Sequence, residues 1–144
     1  MRILLAEDER SLSRAVSALL EKNNFSVDAV YDGEKVSGTI DVLDVRFGSL
    51  WTNISREMFR ELGIEHGQRA EITISNGTRT LYKNIVVYAK SFADVYVGDA
   101  LLYVNSLDNM ALAINQGSFA KAYSIGTGIT WKLSIRKAPK IVYD

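Results

Sequence analysis

The sequence contains no cysteine and only one histidine, His66, among its 144 residues. Without thiols the chain can form neither a disulfide framework nor a thiolate metal site. A single imidazole excludes a multi-histidine metal centre and leaves little for histidine-based catalysis. Because His66 stands next to Gly67 in a loop, we expect it to be exposed and inert. We therefore expect that no cofactor is required.

The chain also lacks net charge and long hydrophobic runs. Seventeen basic side chains balance 17 acidic ones, so no global field draws the protein to nucleic acid or acidic membranes. No apolar run approaches the ~20 residues of a membrane helix, and nothing resembles a targeting segment. Its 47% hydrophobic and 24% charged residues are typical of a soluble globular protein. We expect a cytoplasmic protein with neither nucleic-acid nor membrane partners.

The first 34 residues have the order strand, helix, strand. Residues 2–6 are a short apolar run, and apolar residues recur at helical spacing over residues 12–20. Residues 25–31 then alternate as in a strand, and Asp32-Gly33 is a turn signal. This order predicts one βαβ unit of a parallel sheet.

After residue 35 the pattern becomes mainly that of strands. Residues 36–45 are rich in β-branched side chains and are followed by a predicted loop at residues 46–53. Ser55 can cap a short helix over residues 56–62 that Gly63 closes.

Two pairs of strands follow. Asn76-Gly77 between residues 71–75 and 78–88 predicts a β-hairpin with a type I′ turn. Residues 101–105 and 110–114 flank a second turn at 106–109.

The last elements are a short helix at residues 117–123 and a strand at 130–136. In that strand Trp131, Leu133 and Ile135 alternate with polar residues. The predicted fold class is α+β: a flavodoxin-like βαβ fragment, then a small antiparallel β-barrel or sandwich with two short helices. The predicted boundaries are residues 1–34 for the fragment, 35–138 for the barrel and 139–144 for a tail.

Residues 1–34 are similar to the start of bacterial response-regulator receiver domains. The strand, the acidic pair, the first helix, the second strand and the Asp-Gly turn fall in that family's order. The resemblance implies that Glu7 and Asp8 would help to hold Mg²⁺, a hard cation that prefers carboxylate oxygens. The family's phosphoacceptor aspartate, downstream hydroxyl residue and lysine before proline are not recognisable here. We therefore expect a vestigial site, a solvated acidic turn near a helix N-terminus, and no bound Mg²⁺.

The remainder resembles a different family. The string DVRFGSLWTN from Asp44, the pair Asn105-Ser106 and the string NQGS from Asn115 resemble the C-terminal domain of the S-adenosylmethionine hydroxide adenosyltransferases. Adenosyl-fluoride and adenosyl-chloride synthases are relatives of that family. The resemblance runs over residues 36–137 and implies a small β-barrel. In the family's trimers, S-adenosylmethionine lies between the N-terminal α/β domain of one subunit and the barrel of its neighbour.

This resemblance implies roles for individual residues. Asp44 would meet the ammonium group of the methionine portion, since a carboxylate pairs with a cation. Phe47 and Trp51 would line the adenosine site, where a flat ring can stack on a base. Ser106, after Asn105, would touch the amino-acid portion.

Four further positions bear on the resemblance. Asn115 and Gln116 fall where backbone groups of the family approach the adenine edge. Ser49 stands where the family commonly has asparagine, and its shorter side chain puts direct adenine contact in doubt. Leu107 stands where halogen-transferring members carry arginine, which favours the hydroxide branch.

Structural roles are the alternative at each of these positions. Phe47 and Trp51 are equally compatible with ordinary packing in a barrel core. Asp44 can serve as a turn former, and Thr52-Asn53 can bond the turn backbone.

The catalytic domain of the resembled family is not recognisable in this sequence. Its water-activating groups belong to the N-terminal α/β domain, and receiver-like residues 1–34 stand in that place. Transition-state stabilisation needs groups aimed from both sides of the reacting centre. We therefore expect no catalytic residues and no complete activity from this chain alone.

Three interpretations stay open. The chain is an engineered or recombined chimera without evolved activity, an adenosine- or S-adenosylmethionine-binding subunit that completes an adenosyltransferase site in trans, or a degenerate receiver protein. For the third, Asp44 lies too close to Asp8 to be a convincing phosphoacceptor. Residues 3–5 would leave an apolar strand edge, so we expect self-association as a dimer or trimer, or docking of that strand onto the barrel.

Overall fold

The computed structural model describes residues 2–3 and 26–139 of the chain. The strands of this part are β1 (Arg2–Ile3), β2 (Ser26–Val27), β3 (Val30–Tyr31), β4 (Lys35–Leu43), β5 (Leu50–Ser55), β6 (Arg69–Asn76), β7 (Arg79–Tyr88), β8 (Ala100–Val104), β9 (Asn109–Ile114) and β10 (Gly128–Lys137). The helices are α1 (Arg56–Arg60) and α2 (Phe119–Tyr123), with a 3₁₀ turn at Phe92–Asp94. None of the helices within these residues is long and apolar enough to cross a membrane.

Seven strands form a closed barrel. Their order is β10-β6-β7-β8-β9-β5-β4, and β4 pairs back with β10. The closing ladder is antiparallel and runs from Arg136 opposite Lys35 to Lys132 opposite Thr39. The short strand β3 lies against the first half of β4. The small barrel predicted from the sequence is therefore confirmed.

One strand pair differs from the antiparallel prediction. Strands β7 and β8 are parallel, with Val87 opposite Leu101 and Tyr88 opposite Leu102. A parallel pair needs a crossover connection rather than a tight turn, and residues 89–99 supply it. This crossover passes over the outer surface of the barrel, where Val95 packs against Leu101.

The barrel interior is filled by side chains from every strand of the closed sheet. The fully buried ones include Ile40, Leu50, Ile54, Ile72, Ile74, Leu102, Met110, Leu112 and Leu133. Small barrels are filled in this way because their lumen is only as wide as the side chains that pack in it.

The two helices pack at opposite ends of the barrel. Phe59 of α1 meets the ring of Tyr88 edge-on, and Phe119 of α2 meets the ring of Tyr82 in the same way. These tyrosines are six residues apart on β7, a separation of about 20 Å along a strand. Burial raises the pKa of both tyrosine hydroxyls.

Local sequence signals predicted the position of α1 correctly. The Ser55 side chain accepts a hydrogen bond from the backbone N–H of Met58, 3.1 Å away, as an N-cap. Gly63 follows the helix with φ +70°, the left-handed conformation that suits glycine. His66 is exposed as predicted, although its ring also stacks on Tyr88 at 4.2 Å between centroids.

Two local predictions were wrong. The predicted loop at 46–53 is shorter, because β5 already begins at Leu50. The hairpin turn is Gly77-Thr78, since Asn76 pairs with Arg79. Of these two turn residues only Gly77 has positive φ, whereas a type I′ turn needs it at both, so the pattern fits type II′.

The N-terminal part is described only in small pieces. Strands β1 and β2 are parallel, with Arg2 opposite Ser26 and Ile3 opposite Val27, as the βαβ pattern predicted. The predicted second strand at 25–31 is interrupted, and β3 pairs with the barrel instead. The predicted first helix, Glu7, Asp8 and the last residues of the tail lie outside the described residues. Two short parallel strands do not show a flavodoxin-like fragment, and that part stays a prediction.

We expect Ile72→Ala to lower the free energy of unfolding by about 2–5 kcal/mol, because it opens a cavity in the filled barrel. Ile85→Ala is the matched control, since Ile85 lies on the neighbouring strand and is 39% exposed. It should lower stability by less than about 1 kcal/mol. Urea unfolding measures both. Equal losses would contradict a core inside the barrel.

Candidate functional site

The loop between β4 and β5 folds tightly around Asp44. The backbone N–H of Asp44 donates to the carbonyl of Ser49 at 2.9 Å, and that of Gly48 donates to the carbonyl of Asp44 at 2.6 Å. The carboxylate Oδ1 of Asp44 accepts the backbone N–H of Arg46 at 3.1 Å. The Asp44 side chain is 13% exposed. Asp44 is therefore a turn former whose side chain remains partly exposed.

The same loop is attached to the start of α2. Gly48 has φ +66°, and a Cβ at this position would collide with the side chain of Ser118. The backbone N–H of Ala120 donates to the carbonyl of Gly48 at 3.0 Å. Ser118 caps α2 by accepting the N–H of Lys121. These contacts bring the DVRFGS and NQGS segments, which are distant in sequence, side by side.

A group of aromatic and small side chains covers the outer face of β5, β9 and β8. Trp51 pairs with Ala111, and Ala111 pairs with Tyr103. The ring of Phe92, from the crossover, lies 5.5 Å from that of Tyr103. Ala111 is fully buried although its side chain points away from the core. We call Trp51, Ala111, Tyr103 and Phe92 the aromatic patch.

Polar atoms without partners lie at this patch. Of four such buried side-chain atoms in the described part of the chain, three are Ser49 Oγ, Trp51 Nε1 and Asn105 Nδ2. Strand alternation places Trp51 on the outer face, while Ser49 directly precedes β5 and Asn105 directly follows β8. The fourth, Arg56 Nε, lies 3.2 Å from Asp108 Oδ1 in an ion pair. Buried polar groups are nearly always hydrogen-bonded, so three exceptions in or next to β5 and β8 single out this region as a candidate binding site.

Asn105 organises the turn that follows β8. Its Oδ1 accepts the backbone N–H groups of Leu107 and Asn109 at 2.9 and 3.1 Å. This leaves the amide nitrogen pointing away from the turn, and Ser106 lies exposed on it. Leu107 is also exposed.

The patch is short enough for its two ends to contact one small molecule. Strand β5 is irregular, because Leu50 pairs with Leu112 while Ser55 pairs with Asn109. Such bulges are common next to active sites. The region around the patch, measured along β9 from the level of Ser49 to Asn109, is four residues long, about 13 Å.

The predicted adenine-edge residues have structural partners. The Nδ2 of Asn115 donates to the carbonyl of Val95 at 3.0 Å, and its backbone N–H donates to the carbonyl of Asp99. Asn115 thereby fixes the crossover that carries Phe92. Gln116 is exposed with φ +58°, which leaves its backbone accessible between β9 and α2.

Other predicted residues have a different place from the one expected. Phe47 is not a core residue, since it is 57% exposed. Trp51 lies on the outside of the barrel. Thr52 and Asn53 bond neighbouring strands rather than a turn, through the carbonyl of Met110 and the backbone N–H of Thr39. No three potential metal ligands come together among the residues described.

The sequence reasoning missed Phe92, Tyr103 and Ala111. A signal for Tyr103 was present, because β8 is apolar on both faces over residues 100–104. A strand that covers a filled barrel should be polar outside, so its outer apolar residues indicate a covered surface. Phe92 had no comparable signal.

Comparison with known proteins identifies the domain. Residues 38–132 match the family model described as SAM hydroxide adenosyltransferase C-terminal domain. The chain belongs to this family. The family match begins at Gly38, so it lends no support to a receiver segment or to a chimera, and both stay predictions.

Similar proteins include fluorinases. The fluorinase of Actinopolyspora mzabensis is 29% identical over 100 residues, 69% of this chain and 32% of that protein. The fluorinase of Actinoplanes sp. (strain N902-109) is 34% identical over 99 residues, 68% of this chain and 32% of that protein. The region of this chain that matches the two fluorinases thus corresponds to about a third of their length.

A solved structure supports the fold. The crystal structure of an uncharacterized conserved protein from Thermotoga maritima superposes with a TM-score of 0.65 at 25% identity. The match covers 76% of this chain and 39% of the Thermotoga protein. The barrel of the adenosyltransferase C-terminal domain is therefore the part that the two share.

We expect Gly48→Ala to destabilise the protein more than Gly63→Ala. Both glycines have similar positive φ, which costs about 1–2 kcal/mol for alanine. Only Gly48 would also collide with Ser118, whereas Gly63 faces just the flexible end of Lys137. The collision should add about 1–3 kcal/mol. Urea unfolding compares the two variants, and equal losses would show that the Gly48–Ser118 contact is not tight.

Proposed function

We propose that this domain binds S-adenosylmethionine or adenosine on the aromatic patch and the Asp44 loop. It would provide one side of an adenosyltransferase site that a second domain completes in trans. The observation that carries the proposal is the pair of unpartnered buried donor atoms, Trp51 Nε1 and Asn105 Nδ2, beside the aromatic patch. Membership of the family supplies the ligand class.

The aromatic side chains suit a nucleobase. Phe47 is largely exposed at one end of the site, and Trp51 and Tyr103 are partly buried. A flat ring that stacks on such side chains gains about 1–3 kcal/mol. The apolar patch would hold the adenosine part.

The carboxylate suits a cation. The Asp44 side chain is mostly buried but still partly exposed, and charge-assisted hydrogen bonds are about twice as strong as neutral ones. An α-ammonium group would lie here, with the methionine portion directed along the patch.

The unpartnered donor atoms of the protein are suited to hydrogen bonds with acceptor atoms of the ligand. Trp51 Nε1 and Asn105 Nδ2 can only donate, and ribose oxygens or a carboxylate would accept from them once the ligand displaces the atoms that bury them. Ser49 is fully buried, so direct contact between its hydroxyl and adenine forms no part of the proposal. Ser106 would take the amino-acid end, next to Asn105.

One side of a site does not provide catalysis. The residues proposed to contact the ligand include one carboxylate, Asp44, and no arrangement of nucleophile and base. Positioning and electrostatic stabilisation would have to come from the facing domain as well. That domain would belong to another subunit, in an assembly of two or three copies or with a different chain.

We expect Asp44→Asn to weaken S-adenosylmethionine binding about tenfold, since a bond to a charged group contributes about 1.5–3 kcal/mol. The asparagine can still accept the N–H of Arg46, so the turn is preserved. Adenosine lacks the ammonium group and should bind equally well to both proteins. Isothermal titration calorimetry measures the affinities. An equal loss for both ligands would show that Asp44 only shapes the loop.

A fluorescence readout is available because the chain has two tryptophans. In Trp131→Phe, emission comes from Trp51 alone. Adenosine should quench it in a saturable manner. If the emission stays unchanged at millimolar adenosine, the patch is not the binding surface.

We expect no adenosine to form when the chain alone is incubated with S-adenosylmethionine, because the residues proposed to contact the ligand include no nucleophile and base. Chromatography of the products measures this, with buffer alone as the control. Robust formation of adenosine would refute the proposal that this chain provides only one side of the site.

A further inference from the structure

The cation nearest to Asp44 belongs to the chain itself. The Nε of Arg46 lies 3.8 Å from Asp44 Oδ1. The Cζ of the same guanidinium lies 5.2 Å from the centre of the Phe47 ring. One side chain thus contacts both the carboxylate and the aromatic ring assigned to the ligand.

We propose that Arg46 is an internal competitor for the cationic part of the ligand, an inference that rests on the proposed function. Its guanidinium makes the two contacts that an ammonium or sulfonium group would make, one with a carboxylate and one with an aromatic face. A ligand with an ammonium group at Asp44 must displace the guanidinium from the carboxylate, whereas a neutral nucleoside competes with it only for the Phe47 ring. Arg46 therefore sets how strongly the site prefers charged over neutral ligands.

The contacts of Arg46 are weak enough to be displaced. Its side chain is 78% exposed, and the distance to Asp44 is too long for a hydrogen bond. Exposed ion pairs of this kind contribute little to stability. Arg46 would therefore tune the affinity rather than block the site.

The loop does not depend on the guanidinium. Asp44 Oδ1 is held by the backbone N–H of Arg46, which every substitution except proline keeps. The loop is held separately through Gly48 and Ala120. Changing the side chain should therefore remove the competitor and leave the carboxylate in place.

The test measures the affinities of S-adenosylmethionine and adenosine for the full chain and for Arg46→Gln. We expect the ratio of the two affinities to shift about threefold in favour of S-adenosylmethionine, the size of an exposed ion pair. Using the ratio cancels any change in stacking on Phe47 that affects both ligands. Arg46→Lys keeps a cation and should stay close to the unchanged protein.

Arg60→Gln is the charge-matched control. Arg60 is also exposed but lies on α1, which follows β5, whereas the Arg46 loop precedes it. This variant should leave the ratio unchanged, which separates a local contact from a general effect of net charge.

The possible outcomes are distinct. If Arg46→Gln weakens S-adenosylmethionine binding, Arg46 instead holds the ligand's carboxylate and the inference is wrong. An unchanged ratio, with adenosine still bound, also overturns it and leaves the proposed function intact. If neither ligand binds to any variant, the proposed function fails and this inference fails with it.

Discussion

The antiparallel pairing of β10 with β4 is the constraint on which the rest of the structure depends. Without it the sheet would have two edges, and Leu133 and Ile135 would lose the surroundings that bury them. With it, seven strands enclose a core that side chains fill completely. A filled barrel has no room for a ligand inside. Any binding site must therefore be built on the outer surface, from loops at the barrel ends and from side chains that point away from the core.

The outer surface of β5, β9 and β8 has the features that such a site needs. Ala111 leaves space between the larger Trp51 and Tyr103, and the crossover between the two parallel strands adds Phe92. Gly48 allows the Asp44 loop to approach α2 closely. Each feature has a structural cause, but together they place aromatic rings, unpartnered donors and a carboxylate on β5, on β8 and in the loops next to these strands.

This arrangement agrees with a domain that works as one part of a larger assembly. The family match covers the barrel, and the chain spans about a third of the matched fluorinases. Apolar rings and unpartnered polar atoms on an outer surface are costly for an isolated domain. Under the proposed function, a ligand and a facing domain would cover them and remove this cost. The internal contact between Arg46, Asp44 and Phe47 would lower that cost while the site is empty.

The sequence by itself determined the local elements and the family. Strand alternation identified β10, Ser55 and Gly63 bounded the first helix, and the motif from Asp44 indicated the adenosyltransferase barrel. These signals are local, since capping, turn conformation and alternation depend on neighbouring residues. Only the tertiary structure decided the parallel pairing of β7 with β8, the early start of β5, the aromatic patch and the position of Arg46 over Phe47. Strand partners and register depend on contacts between residues far apart in sequence, so no local pattern could have predicted which side chains meet on the outer face.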